Sequence, residues 1–88
     1  MTQAELLISN RLGLHARACA LFVKTAAKFR SQILVSRDNL EVNGKSIMGV
    51  LMLVAAKGTF INLKCEGPDA AAALQAISKL VQDKFGEE

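Results

Sequence analysis

The sequence predicts an α+β fold in two layers, an antiparallel sheet with its helices packed on one face. Three observations support this. Short segments at strand length alternate with segments whose apolar residues recur at helical spacing, in the order βαββαβα. Each element has only one apolar side, so sheet and helices must cover each other while the second sheet face meets water. The chain has 88 residues, 51% of them hydrophobic and 22% charged, which is enough for one core and too little to divide between two. A single domain over residues 1–88 is therefore expected.

Leu6-Leu7-Ile8, closed by Ser9-Asn10, reads as the first strand, and Arg11-Leu12-Gly13-Leu14 as the loop after it. A helix should begin close to His15. Cys19, Phe22, Ala26 and Phe29 form its apolar stripe, Lys24, Thr25 and Lys28 fall opposite, and the pattern ends near Arg30. Ile33 and Val35, then Leu40 and Val42, alternate with polar neighbours around Asp38-Asn39, which predicts a hairpin. Asn43-Gly44-Lys45 breaks that pattern. Ser46 then stands ahead of Ile47-Met48-Gly49-Val50-Leu51-Met52-Leu53, so its hydroxyl is placed to cap a short helix.

Lys57-Gly58 ends that segment, and a strand follows. Thr59, Ile61, Leu63 and Cys65 face one way in it, and Phe60, Asn62, Lys64 and Glu66 the other. After Gly67-Pro68-Asp69, a final helix carries Ala70, Ala73, Leu74, Ile77, Leu80 and Val81 on one stripe. Cys19 and Cys65 both lie on inward faces and read as buried thiols. Met52 is expected in the core, because methionine most often fills gaps there.

Several classes of function are disfavoured. The longest apolar run, from Ile47 to Ala56, is about half of the ~20 residues that spanning a bilayer needs, and Met1-Thr2-Gln3-Ala4-Glu5 has no basic leader character. Membrane insertion and secretion are not expected, and a reducing cytoplasm is the expected setting. Two cysteines and one histidine cannot build a four-ligand zinc site at a recognised spacing, so neither metal nor cofactor is expected. The net charge of +3 is unevenly spread: residues 1–57 hold eight Lys/Arg against three Asp/Glu. That suits an acidic protein partner. Nucleic acid is a weaker fit, since Trp and Tyr are absent and no Lys/Arg cluster follows a backbone.

Chemistry concentrates at one place. His15 is the only histidine, and it stands where a Gly-containing loop runs into a helix, two residues before Arg17. A helix N-terminus offers free N–H groups and about half a unit of positive charge to a phosphate. A neutral imidazole keeps a lone pair able to attack phosphorus, and a guanidinium matches phosphate oxygens in a fork. The bland reading is that His15 merely caps the helix and Arg17 is solvated.

Gly13-Leu14-His15-Ala16-Arg17, continuing to Phe22-Val23, resembles the active-site signature of the HPr family, the histidine phosphocarriers of the bacterial phosphotransferase system. Asn43-Gly44-Lys45-Ser46-Ile47-Met48 resembles that family's second signature. The likeness covers essentially the whole chain and implies an open-faced β-sandwich with sheet order 1-4-2-3, which the pattern alone leaves open. It implies that His15 accepts a phosphoryl group through Nδ1 from enzyme I, itself charged by phosphoenolpyruvate. An EIIA-type domain of the sugar or nitrogen-related branch then receives it, so the chain is a stoichiometric carrier rather than an enzyme, and a monomer is expected.

By the same resemblance, Arg17 and the Ala16 and Arg17 amides hold the phosphoryl group, while Ala20, Lys24, Ile47 and Met48 form the partner-docking surface. In part of the family the serine matching Ser46 is phosphorylated by an ATP-dependent HPr kinase/phosphorylase, which makes Ser46 a candidate regulatory site. One departure is Ala18, where the family usually has proline; the first helical turn should be slightly looser for it. The competing class is a non-catalytic regulatory or nucleic-acid-binding module on a ferredoxin-like fold. That reading wants aromatic residues on the open sheet face, where only Phe60 is expected.

Overall fold

The computed structural model describes residues 2–87. Its elements are β1 (Thr2–Leu7), α1 (Ala16–Ala26), β2 (Gln32–Arg37), β3 (Leu40–Asn43), α2 (Ile47–Leu51), β4 (Phe60–Glu66) and α3 (Ala70–Gln82), followed by a 3-10 turn at Lys84–Gly86. The four strands form one antiparallel sheet in the order β1-β4-β2-β3. The predicted βαββαβα order and the implied 1-4-2-3 sheet are both present.

Register explains the two faces. Leu6 stands opposite Ile61, and Val35 and Ile33 opposite Leu63 and Cys65. All six are buried beneath the helices. Gln3, Glu5, Asn62 and Glu66 face solvent on the other side, with Leu7 and Phe60 as an exposed cross-strand pair. From the helical layer, Cys19 and Phe22 of α1 and Ala73, Ile77 and Val81 of α3 complete the core. Burying a side chain such as Phe22, Ile61 or Ile77 contributes roughly 1.5–3 kcal/mol, so this stripe-on-sheet contact dominates the stability of the fold.

Several boundaries differ from the sequence expectation. The first strand begins at Thr2, well before Leu6, because β4 supplies partners as far as Thr2↔Cys65 to residues whose inward members, Thr2 and Ala4, are barely apolar. The first helix ends at Ala26 rather than Arg30. Its last turn tightens through i→i+3 bonds, Lys28 N–H to Thr25 O at 3.2 Å and Phe29 N–H to Ala26 O at 3.2 Å. Lys45 Nζ then donates to the freed Phe29 carbonyl at 2.7 Å.

Met52 does not enter the core; it is 61% exposed. Val50 of α2 and Leu53 just beyond it turn inward, three residues apart, which leaves Met52 at the helix end on the outer side. Phe85, beyond the last predicted helix, is buried instead.

Candidate functional site

The loop from Asn10 to Leu14 places the start of α1 against the segment 53–56. Gly13 adopts φ +67, and a Cβ there would lie 2.6 Å from the Ala55 carbonyl oxygen, so this approach requires glycine. Leu14 N–H donates to that same carbonyl at 2.8 Å. Arg37 holds the facing segment by donating from Nη1 to Leu53 O at 2.8 Å and Val54 O at 3.0 Å. Val54 sits at φ +48, a left-handed conformation that a β-branched residue adopts only under strain.

His15 is the N-cap residue of α1, but its side chain makes no cap hydrogen bond. The first helical bond runs from Cys19 N–H to His15 O at 2.9 Å. The Ala16, Arg17 and Ala18 amides precede that bond and have no intrahelical acceptor. The imidazole instead directs Nε2 at the Glu87 carboxylate. This geometry argues against a simple cap and leaves the Nδ1 edge of a half-exposed ring available.

Glu87 is held from two sides. Asn10 Nδ2 donates to one carboxylate oxygen at 3.0 Å, and His15 Nε2 meets the other. The Asn10 bond first and the His15 bond second hold the Glu87 carboxyl below the usual range for glutamate. Asn10 is fully buried, and its Nδ2 also donates to Gly13 O at 2.8 Å. Around the ring, Arg11, Leu12, Arg17, Gly86 and Glu87 line a cleft of about 350 Å³. Two guanidinium side chains, a helix N-terminus and a ring nitrogen at one cleft are suited to a phosphoryl group.

Ala18, at the position of the usual proline, is fully buried in the first turn. Ala20 and Lys24 are exposed on α1, and Ile47 and Met48 are exposed on α2, which packs against α1. Exposed Leu12 and Val54 line a second, more apolar hollow beside His15. Ser46 does cap: its Oγ accepts from Gly49 N–H at 3.1 Å.

The Cys19 thiol is buried and donates to Leu14 O at 3.4 Å, and burial pushes its pKa up to about 11. Burial raises Cys65 as well. Neither is a nucleophile at neutral pH. Among the described residues no cluster of three or more His, Cys, Asp or Glu could hold a metal ion, and no helix is long and apolar enough to cross a membrane.

Sequence reasoning missed Asn10, Arg11, Val54 and Glu87. Arg11 carried a usable signal, as a second cation beside the glycine loop. Glu87 carried none, because it lies 72 residues from His15 along the chain.

Comparison with known proteins identifies the family of the chain. Residues 2–83 match the family described as PTS HPr component phosphorylation site. The phosphocarrier protein HPr of Neisseria meningitidis serogroup A is 48% identical over 87 residues, covering 99% of this chain and 98% of that protein. HPr of Xylella fastidiosa strain 9a5c is 47% identical over 88 residues, covering 100% and 99%. A crystal structure of HPr-C-His from Thermoanaerobacter tengcongensis superposes with a TM-score of 0.97 at 49% identity, covering 100% of this chain and 99% of that one.

Proposed function

The chain belongs to the HPr family, the phosphocarriers of the bacterial phosphotransferase system, and we propose that His15 is its phosphoryl acceptor, through Nδ1. The donor is enzyme I charged by phosphoenolpyruvate, and the recipient is an EIIA-type domain of the sugar or nitrogen-related branch. The observation that carries this reading is the uncapped start of α1. His15 makes no cap bond to the first helical amides and directs Nε2 at Glu87, which leaves Nδ1 as the ring nitrogen free of that contact.

Arg17 steadies the phosphoryl oxygens as a fork, assisted by the Ala16 and Arg17 amides. The protein's part in transfer is positioning and charge stabilisation, because the phosphoryl group passes through a loose transition state between two nucleophiles held in line. It acts as a stoichiometric carrier, without cofactor, as a monomeric single domain in the cytoplasm, where Cys19 and Cys65 stay reduced. Ala20, Lys24, Ile47 and Met48 dock the partners, and their basic and apolar character fits an acidic-rimmed apolar surface.

Ser46 is a second phosphorylation site, used by an HPr kinase/phosphorylase. A phosphate there adds −1.5 to −2 charge beside Ile47 and Met48, which repels the acidic partner face.

The test is incubation with enzyme I and phosphoenolpyruvate followed by mass spectrometry. One acid-labile phosphoryl group is expected, absent from a His15→Ala variant; full labelling of that variant overturns the assignment. Arg17→Ala should fold as the parent does yet transfer more slowly, and Arg17→Lys should recover only part of the rate because its point charge lacks the fork. An unchanged rate in Arg17→Ala removes Arg17 from the site.

A further inference from the structure

Beyond α3 the chain turns back toward the start of α1. Lys84, Phe85 and Gly86 adopt φ of 58, 56 and 74. Gly86 N–H donates to Asp83 O at 2.9 Å and Glu87 N–H to Lys84 O at 3.0 Å. Two consecutive side-chain-bearing residues in the left-handed region hold that conformation only when their surroundings demand it. Here the buried ring of Phe85, 4% exposed, anchors the turn. The consequence is delivery of Glu87 to His15.

The contact has a defined sense. Asn10 Nδ2 faces two acceptors, Gly13 O and the Glu87 carboxylate. The reversed amide would set Oδ1 against both, so the NH₂ orientation follows from the network. A carboxylate held in this way can only accept from His15. In the neutral ring the proton therefore sits on Nε2 and the lone pair on Nδ1.

We propose that Glu87 is a positioning residue for phosphoryl transfer: it orients the His15 ring through Nε2–H and balances the positive charge the ring gains when Nδ1 bonds phosphorus. This rests on the reading of His15 as acceptor. In the transfer step the Nδ1 lone pair forms the N–P bond as the bond from phosphorus to the donor breaks, and that electron pair leaves with the donor. The Nε2 proton stays on the ring, which becomes positive beside the Glu87 carboxylate. Passing the phosphoryl group onward reverses these changes. The carboxylate meets the ring edge away from Nδ1, so it attracts the ring charge at hydrogen-bond contact, while Arg11 and Arg17 in the same cleft are available to the phosphoryl oxygens.

A staple that served only stability would leave the ring's proton where it is when removed. The experiment therefore uses the full chain with nitrogen-15 in the imidazole, as parent, Glu87→Ala and Glu87→Gln. The readouts are the ring nitrogen shifts before phosphorylation, the rate of phosphoryl acceptance from enzyme I and phosphoenolpyruvate, and the melting temperature. The parent should show a protonated Nε2 and a bare Nδ1. Glu87→Ala should give mixed tautomers and roughly tenfold slower acceptance while melting within a few degrees of the parent. Glu87→Gln keeps an acceptor without the charge, so it should retain the parent's ring signals and transfer at an intermediate rate.

Ring signals and rates unchanged in both variants overturn the proposal. So does a rate loss that follows a melting loss while the ring signals stay put. A parent that takes no phosphoryl group overturns the acceptor reading and this one with it, whereas a parent that accepts normally beside an indifferent Glu87→Ala overturns this proposal alone.

Discussion

The starts of α1 and α2 lie on neighbouring helices and are built in opposite ways. At α2 the N-cap Ser46 directs its hydroxyl at Gly49 N–H, which satisfies one of that helix's free donors. At α1 the N-cap His15 makes no such bond, and its ring is drawn aside to Glu87. The start of α3 takes a third course. Asp69 sends its carboxylate across to the Arg30 and Ser31 amides, at 2.9 Å each, and Ser31 Oγ accepts in return from Asp69 N–H at 3.2 Å. A capped start stabilises its own helix, a cross-linked start ties two segments together, and an uncapped start keeps its donors for a ligand.

Turning the α1 start into the α2 kind gives the largest expected effect. His15→Asn supplies a cap oxygen, worth about 1 kcal/mol against a non-capping residue, and removes the nucleophile. Phosphoryl acceptance should vanish while chemical denaturation shows stability at or above the parent; a variant that still accepts a phosphoryl group breaks the comparison.

The reverse change is smaller. Ser46→Ala should lower stability by about 1 kcal/mol in the same measurement. Ser46→Asp keeps a cap acceptor and should melt no lower than the parent, yet accept phosphoryl from enzyme I more slowly, with the deficit shrinking as salt is added. A destabilised Ser46→Asp with normal transfer would make Ser46 a cap and nothing more.

At the third start the expectation is one of pH. The Ser31 hydroxyl first, and the Arg30 amide next, hold the Asp69 carboxyl below its ordinary value of 3.8. A carboxyl acidified on folding contributes stability that is fully present above its unfolded value and is lost as pH falls through the folded one. Stability should therefore decline below about pH 4, and Asp69→Asn should be less stable than the parent at neutral pH with a flatter acid limb. Parallel acid limbs would mean the cross-link does not form in solution.

The smallest effect concerns the wall that faces α1. Val54→Gly removes a left-handed β-branched residue and should raise stability by up to about 1 kcal/mol. Calorimetry should show a melting increase of a few degrees. A lower melting temperature would mean that the Arg37 contacts to this loop do not depend on a strained backbone.

Much of this layout was legible in the sequence because it repeats locally. The alternation of Ile61, Leu63 and Cys65, the stripe of Cys19, Phe22 and Ala26, and Ser46 before an apolar run each need only a few neighbouring residues to be read. His15, Arg17 and the glycine ahead of them were legible for the same reason. What failed was non-local. Thr2 and Ala4 are strand residues because β4 pairs with them, and α1 stops before Phe29 because the turn into β2 closes there. Met52 faces outward because the chain leaves α2 at Leu51 with Val50 and Leu53 already holding the inner positions. The roles of Asn10 and Glu87 depend on a contact across 77 residues, which no local pattern encodes.

That contact has a consequence for when the site comes into being. β1 must wait for β4, and the bond from Asn10 to Glu87 must wait for a residue 77 positions further along the chain. Closing loops of this length comes late in folding, after local helices and the β2–β3 hairpin have formed. A chain still emerging from the ribosome therefore carries His15 and the start of α1 but neither the far wall of the cleft nor the carboxylate that orients the ring. The finished cleft is in this sense a checkpoint: only a molecule in which Asn10 has met Glu87 presents it whole.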